Sequence, residues 1–214
     1  MTNNMKKITA LTSVIALAIF VFFTNTSQAE FVAGKNYIVL DKPVEIETGD
    51  QVEVRELFFY FCGHCFNINP FLHNWLKTMD SSAQFVLQPA IFPSPDWVHA
   101  ATMFYVLEEL GELDRLHEAL FNAYHMQKLQ LNTQQDFVTW LSLSGLDEQK
   151  ANKVYESFSV KVAVNRAKAS TYKYRIPGVP AFIVNGKYMV NATSAGSQEK
   201  IFDVIDYLIQ KETQ

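Results

Sequence analysis

Cysteine is almost absent from this chain. Its 214 residues hold two, Cys62 and Cys65, both inside the run Phe61-Cys62-Gly63-His64-Cys65-Phe66. A framework of several disulfides is therefore excluded, because no third cysteine exists for either to pair with. A zinc site made of two cysteine pairs is excluded in the same way, since Cys-x-x-Cys is half of one. His73, His99, His117 and His125 are scattered over predicted helices without ligand spacing; they are expected as surface or core residues, and no metal is assigned. Basic excess is lacking too: 18 Lys and Arg stand against 22 Asp and Glu, which leaves no electrostatic footprint for nucleic acid. There are no internal repeats and no low-complexity tracts.

A long uncharged run occurs once, from Ile8 to Phe23, behind Lys6-Lys7 and ahead of Ser27-Gln28-Ala29. At 16 residues it is short for a membrane span, which needs about 20. It reads as a secretory signal peptide, with cleavage expected after Ala29. Removing 29 of 214 residues leaves 185, with 16 basic residues against 22 acidic and a net charge of −6. A single domain of that size buries an adequate core without staples. Export then gives the cysteine pair its meaning. Thiols in an oxidising compartment tend toward disulfides. A bridge between Cys62 and Cys65 closes so small a loop that it removes little unfolded-chain entropy. A purely structural bridge is thus physically unattractive, and a redox pair is the preferred reading.

Ahead of the motif, Tyr37 to Val44 reads as extended, with Pro43 breaking it. Val52 to Phe61 alternates at first and then turns continuously apolar through Leu57-Phe58-Phe59-Tyr60-Phe61, the pattern of a strand buried on both faces. Phe66 to Met79 carries Ile68, Phe71, Leu72, Trp75, Leu76 and Met79 at helical spacing, so a helix starts at the motif, and Gln84 to Ile91 reads as a second buried strand. Together they form a βαβ unit with the cysteines at a helix N-terminus. Ser94-Pro95-Asp96 starts a helical block of four predicted segments, Asp96–Leu110, Glu112–Gln127, Thr133–Ser144 and Asp147–Lys173. The last is expected to present Val154, Phe158, Val162 and Asn165 on one face. Strand character returns at Ala181-Phe182-Ile183-Val184, followed by Asn185-Gly186 and Lys187-Tyr188-Met189-Val190, a hairpin signature. Ser197 is placed to cap a closing helix that carries Ile201, Val204, Ile205 and Leu208 on one face. The expected fold class is α/β, a thioredoxin-like fold over residues 30–214 with a helical domain inserted at about 95–173.

Within this frame Cys62 is the candidate nucleophile. Unpaired N–H groups and the macrodipole at a helix start favour negative charge and lower a thiol's pKa. Cys65, one turn in, is expected to be more buried and to act as the resolving thiol. His64 can give the Cys62 thiolate a hydrogen bond or a positive charge, which favours the reduced form and makes the disulfide a stronger oxidant. Glu56 lies six residues before Cys62. A carboxylate on so apolar a strand either ends its polar part and faces water or is buried at a cost; the residues alone leave both open.

A second constellation is Arg175-Ile176-Pro177-Gly178-Val179-Pro180-Ala181. The Phe61–Cys65 motif, the helical insertion and the run Gly178 to Tyr188 together resemble the DsbA-type thiol:disulfide interchange proteins of the bacterial periplasm, over nearly all of the chain after Ala29. By that resemblance Pro180 is a cis-proline facing the disulfide, where the residues alone suggest an ordinary trans turn. Val179 offers its backbone to an extended substrate peptide, and Glu56 lies beneath the cysteines and moves protons to and from Cys65. Phe66 and the segment Pro177–Val179 are candidates for an exposed apolar rim that accepts unfolded chains. Two departures stand out. Gly63 occupies a place that is usually proline in this family, giving the Gly-His dipeptide of eukaryotic protein disulfide isomerases. Gln88 lies near the place where a lysine often accompanies the buried acid. The resemblance implies a periplasmic oxidase of exported proteins with free cysteines, using no organic cofactor and reoxidised by a quinone-linked membrane partner of the DsbB kind. A disulfide isomerase or reductase on the same fold, and a non-catalytic secreted peptide-binding module, are the alternatives.

Overall fold

The computed structural model describes residues 31–214; the expected signal peptide and its cleavage after Ala29 lie outside the described residues. A five-stranded sheet is ordered β1-β5-β4-β2-β3. Its strands are β1 (Ile38–Val39), β2 (Val52–Phe58), β3 (Ala83–Pro89), β4 (Ala181–Val184) and β5 (Tyr188–Val190). β2 runs parallel to β3 and antiparallel to β4. The parallel pair needs a crossover, supplied by α1 (Gly63–Leu76), which leaves the cysteines between strand and helix. Of the long extended run expected from Tyr37, the two residues of β1 are strand.

All seven residues of β2 are buried, and successive side chains leave on opposite faces. Val52 and Val54 pack with Ile68, Leu72 and Trp75 of α1 and with Ile201, Val204 and Leu208 of the closing helix. The other face carries Glu53, Arg55 and Leu57. There the Arg55 guanidinium donates to Glu53 (2.7 Å), Glu47 (3.0 Å) and the Gln88 side-chain carbonyl (2.9 Å). Gln88 stands beside Leu57 in register, so it belongs to the Arg55 network on the face opposite Glu56. It does not replace a cation next to that acid.

β2 ends at Phe58, three residues short of expectation. Phe59 to Cys62 form a turn closed by the Cys62 N–H to the Phe59 carbonyl at 3.0 Å. The aromatic run is apolar because it packs on the helical block: Phe59 stacks on Trp97 and Phe61 meets Tyr124.

That block holds five helices, α2 (Pro95–Leu110), α3 (Leu113–His125), α4 (Gln134–Leu143), α5 (Glu148–Tyr155) and α6 (Phe158–Tyr174). The single segment expected over Asp147–Lys173 is two helices. Ser157 interrupts it, and its hydroxyl accepts the Val160 N–H at 3.2 Å as a new N-cap. The break resets the helical phase. Phe158 is 82% exposed and Val162 37% exposed, while Val160, Val164, Ala167, Thr171 and Tyr174 form the buried face.

The chain closes with a short α7 (Ala192–Ala195), which sequence periodicity did not signal, and α8 (Lys200–Thr213). The Ser197 hydroxyl accepts the Lys200 N–H at 3.3 Å, and Ile201, Val204, Ile205 and Leu208 are fully buried. Between β4 and β5 both central turn residues have positive φ, Asn185 at 49° and Gly186 at 64°, the geometry of a type I′ turn.

Gly186 has a second constraint. A Cβ there would lie 1.9 Å from the Val44 carbonyl oxygen, whereas Gly49, at the same φ of 64°, has open space around it. Gly49→Ala is expected to cost about 1 kcal/mol of left-handed strain. Gly186→Ala, which adds a backbone clash, is expected to cost at least roughly 2 kcal/mol more. Denaturant midpoints of the two variants check this; equal losses would contradict it.

Candidate active site

Cys62 is the N-cap of α1, with extended backbone (φ −86°, ψ 117°), and the Phe66 N–H bonds its carbonyl at 3.1 Å. The two cysteines are in the dithiol form. They are unequal: Cys62 is half-buried, Cys65 fully buried. A hydrogen bond from the Cys65 thiol is the largest influence on Cys62. With the backbone N–H groups of Cys65 and His64 and the His64 charge, it outweighs partial burial and brings the Cys62 thiol down to about 6. Burial pushes the Cys65 thiol well above its usual value; its bond to Cys62 and the nearby charges of Cys62 and Glu56 act in the same direction. One sulfur is thus a thiolate near neutral pH, while the other holds its proton.

His64 is exposed, and its carbonyl accepts from Gln198 at 3.3 Å. Opposite Cys62 the Val179–Pro180 peptide is cis, and the Val179 carbonyl oxygen lies 3.6 Å from the Cys62 sulfur, accepting its hydrogen when the thiol is protonated. Val179 is half-buried and Pro180 buried.

Glu56 shares the sheet face that packs on α1. It is 2% exposed and flanked in register by Leu87 and Phe182. No hydrogen bond or ion pair reaches its carboxyl among the described residues, and burial alone pushes it up to about 8. Its charge, when present, acts to raise the Cys65 thiol further. A buried acid with no cation beside it keeps its proton up to neutral pH.

Phe66 is less open than expected of an apolar rim: its ring is half-buried and stacks on His125 with centroids 4.9 Å apart. Pro177 is the exposed member of the neighbouring segment. Three of the four histidines set aside on sequence hold the surroundings of the site together. His99 bonds Tyr155 and the Leu131 carbonyl. His117 bonds the Tyr60 hydroxyl at 2.8 Å, and His125 donates to the Tyr60 carbonyl at 2.8 Å. His117, Phe121 and His125 recur every four residues, a spacing that puts all three on one face of α3. That spacing was the available signal, and a search for metal ligands does not register it. Among the described residues no group of three or more His, Cys, Asp or Glu is placed to hold a metal ion.

Two sulfurs one helical turn apart, one a stabilised thiolate and the other a buried thiol, are equipped for dithiol–disulfide exchange. Comparison with known proteins agrees. A family model described as a DSBA-like thioredoxin domain matches residues 53–202. The thiol:disulfide interchange protein DsbA of Pseudomonas aeruginosa is 36% identical over 203 residues, 94% of this chain and 95% of that protein. Its counterpart from Burkholderia cepacia is 31% identical over 208 residues, 97% of each. The crystal structure of Pseudomonas aeruginosa DsbA superposes with a TM-score of 0.79 at 37% identity, covering 86% of this chain and 95% of that one. The oxidoreductase DsbA of Xylella fastidiosa gives 0.79 at 25% identity, covering 85% and 97%.

The isolation of Glu56 predicts a pH effect. Its carboxyl is raised from 4.5 to about 8 on folding, so the fold favours its neutral form. The associated stability is complete below about 4.5 and is lost as pH rises toward 8. With the cysteines oxidised, Glu56→Gln is expected to exceed the parent in stability by on the order of 3 kcal/mol at pH 7 and to match it near pH 4. Denaturant unfolding across that range measures the difference; parallel pH profiles for the two proteins would contradict the assignment.

Proposed function

The chain belongs to the DSBA-like thioredoxin family, and from that membership we propose how its residues perform the exchange. The protein is a thiol:disulfide oxidoreductase of the DsbA kind. The observation that carries the mechanism is the inequality of the two thiols, with the half-buried Cys62 held near 6 beside a fully buried Cys65.

In the oxidised protein a substrate thiolate attacks the Cys62 sulfur, the more accessible of the pair. The Cys62–Cys65 bond breaks and Cys65 leaves with the electron pair. Glu56, neutral near pH 7, is the proton source for the buried Cys65 thiolate. The second substrate thiolate then attacks the substrate sulfur of the mixed disulfide. Cys62 leaves as a thiolate, which the donors that lower its pKa make a good leaving group. The substrate gains one disulfide, the protein becomes the dithiol, and two electrons pass from substrate to protein. His64 supplies part of the thiolate stabilisation. The Val179 backbone beside Cys62 is the docking edge for an extended peptide, with Pro180 behind it and Phe66 supplying apolar contact.

The substrates in this reading are exported proteins with free cysteines, and the compartment is the periplasm. Reoxidation falls to a DsbB-like, quinone-linked membrane protein that meets the same sulfur. Membership among interchange proteins supports the oxidase over the isomerase, reductase and non-catalytic readings.

Mixing oxidised protein with a reduced, unfolded polypeptide that carries two cysteines tests the scheme. Two substrate thiols are expected to disappear for each protein reduced. Cys62→Ser is expected to fall to background, and Cys65→Ala, offered the disulfide form of the same polypeptide, to accumulate a mixed disulfide as its Cys62 thiolate displaces one substrate thiolate. Oxidation at the parent rate by Cys62→Ser, or trapping through Cys65, would overturn it.

A further inference from the structure

We propose that His125 is a positioning residue for the redox reaction, fixing the turn that delivers Cys62 through its hydrogen bond to the Tyr60 carbonyl. The turn from Phe59 to Cys62 is closed by one backbone hydrogen bond. Its central carbonyl, that of Tyr60, takes no part in that closure and accepts from His125 Nε2 at 2.8 Å. A carbonyl accepts only, so Nε2 carries the hydrogen, and the bond survives in both the neutral ring and the imidazolium.

The grip on Tyr60 comes from one helix face. His117 meets its hydroxyl at 2.8 Å, Phe121 meets its ring with centroids 4.9 Å apart, and His125 takes its carbonyl. His125 also reaches past the turn. Its ring stacks on Phe66 at 4.9 Å with 17° between planes, and the Phe66 N–H bonds the Cys62 carbonyl. One imidazole on α3 therefore holds both flanks of Cys62, two residues before it and four after. Thiolate stabilisation at Cys62 depends on N–H groups of His64 and Cys65, in the first turn of α1. Such donors act at full strength only when their direction is fixed. The helical block thereby bears on the chemistry through His125.

The inference rests on Cys62 being the attacking thiol, so the test compares variants by thiolate titration. A wrong nucleophile would show in the parent itself, a wrong role for His125 only in the comparison. His125→Phe and His125→Met remove the N–H donor, the former keeping a ring against Phe66. His125→Gln restores an N–H donor without the ring. The ultraviolet absorbance of the Cys62 thiolate is titrated in each reduced protein. The donorless variants are expected to titrate about one pH unit above the parent, which shifts the equilibrium with glutathione roughly fivefold toward the disulfide at pH 7. His125→Gln is expected to return to within about 0.3 unit of the parent. The proposal is overturned if the donorless variants titrate with the parent, or if His125→Gln is displaced as far as they are. It is equally overturned if neither donorless variant folds, since the bond then serves folding alone.

Discussion

A thiolate is stable in a protein only beside hydrogen-bond donors that hold still, and the structure around Cys62 supplies them at the first turn of α1. The Cys65 thiol and the N–H groups of Cys65 and His64 all converge on one sulfur. Each is placed by something larger. β2, buried along its whole length, anchors the chain before the motif. The turn at Phe59–Cys62 aims the sulfur, and α3 grips that turn at Tyr60. The Val179–Pro180 segment closes the other side of the cleft.

The same strand solves two electrostatic problems in opposite ways. On one face Arg55 spends its hydrogen bonds on the buried Glu53 and Gln88 and on the exposed Glu47, so the buried acid and base satisfy each other. Such a network is expensive to break and adds little when intact. On the other face Glu56 is buried between Leu87 and Phe182, and among the described residues no hydrogen bond or ion pair reaches its carboxyl. Burial raises that carboxyl to about 8, so it keeps its proton near neutral pH. Adjacent positions on one strand, Arg55 and Glu56, thus meet opposite electrostatic surroundings because the pleat sends them to different layers.

Much of this was legible in advance. Cys62 and Cys65 could be located from spacing alone, because a cysteine pair at a strand–helix junction is a local signal, whereas the burial of Glu56 was expected with the help of a family resemblance. The Asn185-Gly186 hairpin was equally local. Pro180 needed a family resemblance, since no local pattern specifies its isomer. What periodicity missed is non-local. The apolar run Phe59–Phe61 looked like strand although its partners are Trp97 and Tyr124, nearly forty residues away or more. Ser157 looked like an ordinary helical residue, yet its hydroxyl restarts the helix and turns Phe158 outward. Which face of β3 carries Gln88 was not legible, because the register of a parallel pair is fixed by tertiary packing. The His117–Phe121–His125 stripe carried a readable spacing, but what it reads is the backbone of another segment.

The account stands or falls on the depressed thiol of Cys62, and linkage gives it a direct measurement: the stability of the reduced protein minus that of the oxidised protein, followed with pH. Measured in the Glu56→Gln background, the difference is free of that carboxyl's own titration. The Cys62 thiol, lowered from 9.0 to about 6, exists only in the reduced form. Its contribution is complete above about 9 and disappears as pH falls through 6. The difference is therefore predicted to rise by about 1.4 kcal/mol per pH unit between those limits and to be flat below them. A difference that stays flat up to pH 9 would show that Cys62 is an ordinary cysteine and would contradict the account.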